Sequence, residues 1–183
     1  MHMGMEIDEF WKIIELSRRE VRSDESDGNM ERQRKALESL LSKMSPDEIV
    51  AFDRQLMRQM RIAYRWDLWG AAYIIASGCS DDGFVDFRAW LISMGRQVFE
   101  GVMANVESLA DIASGPGIED VFFEGFINAP EQAYEHLTGR EIPESVELSP
   151  GEPVGDRWDS TGDDLRRRFP RLWSRYRGVR TQA

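Results

Sequence analysis

The stretch YRWDLWGAAYIIASGCSDDGFVDFRAWLISMGRQVFE, residues 64–100, decides the fold. Its first half, from Leu68 to Ile75, is apolar on every side of a helical wheel, the pattern of a helix enclosed in a core. A small acidic turn, Gly78-Cys79-Ser80-Asp81-Asp82-Gly83, then interrupts it, with Gly78 placed to end the helix. Beyond the turn Phe84, Phe87, Trp90, Leu91 and Met94 recur at three- and four-residue spacing, which predicts a second helix. Gly95 marks a bend, and Val98, Phe99, Val102 and Met103 start a further short helix.

The same period extends toward the N-terminus. Ser45-Pro46-Asp47-Glu48 has the order of a capping box with proline at the first helical position. Ile49, Phe52, Leu56, Met60 and Ala63 follow as one stripe, predicting a helix that runs from Pro46 straight into the buried segment. Two earlier helices are predicted over Ile7 to Val21 (Phe10, Ile13, Ile14) and from about Met30 (Leu37, Leu40, Leu41, Met44). The polar run Ser23–Asn29 separates them. Met1–Gly4 reads as a cloning remnant ahead of a start near Met5.

Toward the C-terminus, Ser114-Gly115-Pro116-Gly117 predicts a loop, and short helices are expected near 118–128 and 131–138. Residues 140–162 are acidic and rich in proline and glycine, the composition of an irregular surface linker. Residues 163–178 carry Leu165, Phe169, Leu172, Trp173 and Tyr176 as apolar anchors, so this segment is expected to dock as a short helix on the body. No run alternates apolar and polar residues for long enough to make a sheet. The expected fold is all-α: one compact domain over residues 5–183, of seven or so helices.

Composition narrows the function. With 23 Lys+Arg against 33 Asp+Glu, the formal charge is −10, which disfavours nucleic acid and anionic membranes as general partners. The longest apolar run, Leu68 to Ala76, is about half of what a membrane span needs. A single cysteine, Cys79, leaves no internal disulfide and no multi-cysteine zinc site, and points to a reducing cytoplasm. Setting aside the leading residues, His136 is the one histidine, which removes most histidine-based catalysis and metal binding.

The acidic turn resembles a calcium loop at Gly83, but the required carboxylates fail at both ends. Gly78 would stand at loop position one and Ala89 at position twelve. Ser80, Asp81 or Asp82 as a helix cap, with Asp86 in the first turns, accounts for the same residues. Cys79 follows a helix C-terminus, where a thiol pKa rises, and reads as a structural thiol. Arg65, Asp67, Arg88 and Arg96 admit two readings: an Arg–Asp network locking helices together, or a pocket in which an arginine grips an anion beside a tryptophan wall. The C-terminal RRRFPRLWSRYR mixes basic and aromatic residues, but the acidic stretch before it favours self-neutralising docking over nucleic-acid binding.

Beyond these physical readings, Phe10-Trp11, the SPDEIVAFDRQL segment (Ser45 to Leu56), Tyr64 to Gly70, the Gly78 to Phe84 turn with Phe87-Arg88 and Trp90-Leu91-Ile92, and the closing Phe169 to Trp173 together form a pattern. It resembles a family of small bacterial proteins, common in actinomycetes, catalogued as a domain of unknown function. That resemblance implies a fold unit that includes the C-terminal segment, and it implies no reaction.

The candidate ligand or partner surface is therefore Arg65, Trp66, Asp67, Trp69, Asp81, Asp82, Arg88 and Arg96, with no catalytic residue, metal ligand or cofactor assigned. The expected function is that of a non-enzymatic binding or regulatory module with a Trp/Arg-lined surface for a protein partner. The alternative is an enzyme or small-ligand receptor whose Arg/Asp pocket takes an anionic small molecule.

Overall fold

The computed structural model describes residues 4–143 and 151–178. Met1–Met3, residues 144–150 of the expected linker and Arg180 lie outside the described residues. Among the described residues ten α-helices follow one another: α1 (Ile7–Ser17), α2 (Asn29–Leu41), α3 (Pro46–Ile62), α4 (Trp66–Ala76), α5 (Asp81–Ser93), α6 (Arg96–Ala104), α7 (Leu109–Ile112), α8 (Ala129–Thr138), α9 (Asp163–Arg168) and α10 (Pro170–Tyr176). The fold is all-α. Among the described residues the only extended pairing is an isolated parallel bridge between Arg65 and Val154.

The apolar stripes converge on one core. Phe10, Trp11 and Ile14 of α1 meet Leu37 and Leu41 of α2, Phe52, Leu56 and Met60 of α3, and Phe87 and Leu91 of α5, all buried. Each such side chain contributes about 1.5–3 kcal/mol relative to exposure. The capping box forms as its order predicts: Glu48 N–H donates to Ser45 Oγ at 3.4 Å and Ser45 N–H donates to Glu48 Oε2 at 2.7 Å, with Pro46 opening α3.

The expected single helix from Pro46 to Ala76 is two helices. α3 ends at Ile62, and Arg65 takes an extended conformation (φ −134°, ψ 143°) before α4 begins. The cause lies far along the chain. Trp66 N–H donates to Val154 O and Val154 N–H donates to Tyr64 O, each at 3.0 Å, so the break gains backbone partners that a continuous helix would not offer Val154. The uninterrupted stripe gave no local hint of it. α4 then ends on Ser77, at φ 62°, one residue before Gly78.

The segment expected as a surface linker is partly a strap. From Gly151 to Trp158 it crosses α4, with Pro153 buried and Trp158 packed on Tyr73 at a 5.0 Å ring separation. Leu165, Phe169 and Leu172 of α9 and α10 are buried in the same core. α4 is thus covered on one side by α5 and on the other by the strap and α10, which explains its all-round apolarity.

Gly70 makes this approach possible. A Cβ there would stand 2.9 Å from Phe169 Cε2, 3.1 Å from Trp158 Cδ1 and 3.2 Å from Leu165 Cδ2. Gly70→Val is therefore expected to push the strap and α9 off α4, lowering the unfolding free energy by about 1–3 kcal/mol. Urea unfolding together with limited proteolysis checks this. The strap should become the first cleavage site, and an unchanged midpoint and cleavage pattern would contradict the packing.

Candidate functional site

The turn between α4 and α5 is organised by Ser80, whose Oγ accepts from Gly83 N–H at 3.1 Å and caps α5. This leaves both following aspartates free of capping duty. Asp81 and Asp82 are exposed and, among the described residues, neither has a hydrogen-bond or ion-pair partner. Trp69 fixes the turn to α4 by donating its indole N–H to Cys79 O at 3.0 Å.

Next to the turn the aromatic residues form a column. The rings of Trp66 and Trp69 stack at 5.3 Å and 7°, and those of Trp69 and Phe84 at 4.9 Å and 9°. At the inner end the fully buried Arg88 guanidinium lies 5.0 Å from the Phe84 ring and 4.8 Å from the Tyr64 ring. At the outer end the guanidinium of Arg157, an exposed residue of the strap, lies 5.1 Å from the Trp66 ring. One aromatic stack thus carries a guanidinium at each end, one enclosed and one exposed. An exposed contact of this kind contributes about 0.5–1 kcal/mol.

A cleft of about 540 Å³ opens beside the column, lined by Tyr64, Trp66, Trp69, Phe84 and Val85, by Asp81 and Asp82, and by Gly151, Glu152, Pro153 and Arg157 of the strap. That volume suits one or two side chains or a small ligand. Its rim is acidic and its wall aromatic.

The eight candidate residues separate. Trp66, Trp69, Asp81 and Asp82 come together at the cleft. Arg65 and Asp67 face each other instead: the guanidinium grips both carboxylate oxygens and donates to Met103 O at 2.9 Å, tying α4 to the end of α6. Their side chains remain 29% and 36% exposed, so this pair contributes about 1 kcal/mol and is no buried lock. Arg88 donates to Met60 O at 2.9 Å and Phe84 O at 3.2 Å, and burial lowers its pKa to about 10. Arg96 lies elsewhere, bridging Asp8 at 2.6 Å and Glu100 at 2.7 Å. None of the three candidate arginines lines the cleft.

Arg157 and Glu152 were missing from the sequence expectation. Both sit in a stretch whose composition reads as linker, and the available signal was Trp158, a large apolar residue with no periodic neighbours. The strap's backbone is held at this point by Arg168, which donates to Asp156 O at 2.9 Å and Arg157 O at 3.0 Å.

Cys79 is half-buried beside the turn, and burial followed by the charges of Asp81 and Asp86 pushes its thiol up to about 12. Less than about one part in a thousand is then thiolate at pH 8. Iodoacetamide labelling at pH 8 should therefore run at least about a hundredfold slower in the native protein than in urea. Comparable rates would contradict a structural thiol. Asp86 is also raised, by burial and by the Glu124 and Asp82 charges. Among the described residues no group of three or more His, Cys, Asp or Glu is arranged to hold a metal ion, and no helix is long and apolar enough to cross a membrane.

A family model described as a protein of unknown function, DUF4240, matches residues 5–136, which covers α1 to most of α8 and includes the whole aromatic column except the strap's arginine. No curated protein and no solved structure matches the chain.

Proposed function

We propose that this chain, which belongs to the DUF4240 family, is a bacterial cytoplasmic binding module, without catalytic chemistry of its own, that engages a protein partner through the cleft beside the Trp66–Trp69–Phe84 column. The observation that carries the reading is the combination of an aromatic wall with two unpartnered carboxylates, Asp81 and Asp82, around one concave surface. Tryptophan and tyrosine presented in a cleft supply much contact area at small entropic cost, and they dominate the energetics of protein interfaces. Among the described residues neither Cys79, whose thiol is raised by burial, nor His136 of α8 lines the cleft.

An anion-binding pocket, the other expectation, draws no support from the arginines named for it. Arg65 is engaged by Asp67, Arg96 by Asp8 and Glu100, and Arg88 is enclosed. The rim carries the opposite charge.

A photo-crosslinking residue placed at Val85, on the cleft, and separately at Ser39, exposed on α2, tests the proposal in the cells that make the protein. The expected result is a discrete adduct from Val85 that disappears with Asp81→Asn/Asp82→Asn, and none from Ser39. The same adducts from both positions, or none from Val85, would reject it.

A further inference from the structure

The outer end of the aromatic column is already occupied by a cation from the chain itself. Arg157 sits 5.1 Å from the Trp66 ring and, among the described residues, its guanidinium has no hydrogen bond or ion pair. Its backbone is fixed by Arg168 and by the adjacent Val154 bridge. The side chain can therefore leave the ring without moving the strap. Trp66 is 8% exposed with Arg157 in place, so departure of that side chain uncovers the face beneath it.

The inner end shows that the same column accepts a guanidinium as a permanent neighbour, in Arg88 against Phe84 and Tyr64. The rim adds Asp81, Asp82 and Glu152, carboxylates matched in charge to a cation and opposed to an anion. Resting on the cleft as the working surface, we propose that its occupant is an arginine side chain on an extended basic segment of the partner protein. That side chain takes the place of Arg157 on Trp66, and Arg157 serves as a resident plug. A guanidinium is preferred over an ammonium because its planar group lies flat on the indole while its N–H groups donate in-plane to the carboxylates. The plug lowers apparent affinity by the fraction of time it occupies the ring. Its contact is weak, so the chain stays open to exchange.

The test titrates the full-length ¹⁵N-labelled protein with a capped Gly-Arg-Gly-Arg-Gly peptide, following the Trp66 and Trp69 indole N–H signals. The same titration is run on Arg157→Ala and on Asp81→Asn/Asp82→Asn, two changes confined to exposed side chains. The lysine version of the peptide and free agmatine serve as competing ligands. Arg157→Ala should bind the arginine peptide about two- to fivefold more tightly than the parent. The Asp81/Asp82 double variant should bind at least about threefold more weakly, with the difference shrinking as salt is raised. The lysine peptide and agmatine should both bind less tightly than the arginine peptide.

Absence of indole shifts in Arg157→Ala, equal affinity in all three proteins, or tighter binding of agmatine would overturn the proposal. If the Val85 adduct forms while the peptide fails, the cleft is the working surface and its occupant is not an arginine segment. If both fail, the reading of the cleft falls with it.

Discussion

Arg88→Ala is expected to lower the unfolding free energy by about 3–5 kcal/mol. Among the described residues Arg88 is the largest fully buried side chain, its guanidinium packed against both the Phe84 and Tyr64 rings. Its removal deletes both ring contacts, leaves a void under the aromatic column, and takes the donor from Met60 O on α3, the end of the helix that meets the chain break. Lysine is not a conservative rescue. It has neither the planar fork that reaches Met60 O and Phe84 O together nor the flat guanidinium surface that packs on aromatic rings. Equilibrium unfolding in urea measures the loss. A decrease below about 1 kcal/mol would mean that the column does not depend on its inner cation.

The second large effect comes from Asp53, which has no part in the cleft. It is 5% exposed on α3, the helix that packs on α8, and its carboxyl is raised to about 6, first by burial and then by the charge of Glu131, with Arg54 opposing. The folded chain thus holds this proton more tightly than the unfolded chain, whose ordinary value is 3.8. The stability that follows is fully present below about 3.8 and is lost as the pH rises through about 6. At pH 8 the ionised carboxylate costs the fold about 3 kcal/mol. Asp53→Asn, neutral at every pH, should raise the urea midpoint about three times as much at pH 8 as at pH 4.5, where about a third of the cost is already present. Comparing wild type with variant at each pH removes the contribution of the other carboxylates. The same midpoint difference at both pH values would contradict a raised Asp53.

How much of this could be read beforehand depended on whether the cause was local. The all-α class, the Ser45 cap and the α5 helix after Ser80 follow from residues within a few positions of one another, and the sequence carries them plainly. The division of α3 from α4 does not, because its cause is Val154, some ninety residues away and embedded in a stretch that looks like linker. Trp66 and Trp69 stood out as candidates by residue type alone, and the structure brings them to one cleft with Asp81 and Asp82. Arg65, Arg88 and Arg96 had the same chemical promise, but they are separated by what faces each of them: Asp67 for the first, aromatic rings for the second, Asp8 and Glu100 for the third. Side-chain partners of that kind are set by tertiary packing, and spacing does not encode them. The arginine that does reach the cleft, Arg157, belongs to the strap.

The two guanidinium groups on one aromatic column, one enclosed and one exchangeable, are the centre of this account. The most direct measurement is the ¹H–¹⁵N spectrum of the arginine Nε–H groups, with Arg88→Lys and Arg157→Lys supplying the assignments. Two signals should be displaced by ring currents. That of Arg88 should be long-lived against solvent exchange, because Arg88 is fully buried. That of Arg157 should exchange rapidly and should move toward the ordinary arginine position on addition of the arginine peptide. An Arg157 signal already at the ordinary position in the free protein would contradict the account, since no cation would then be seated on Trp66 for a partner to replace.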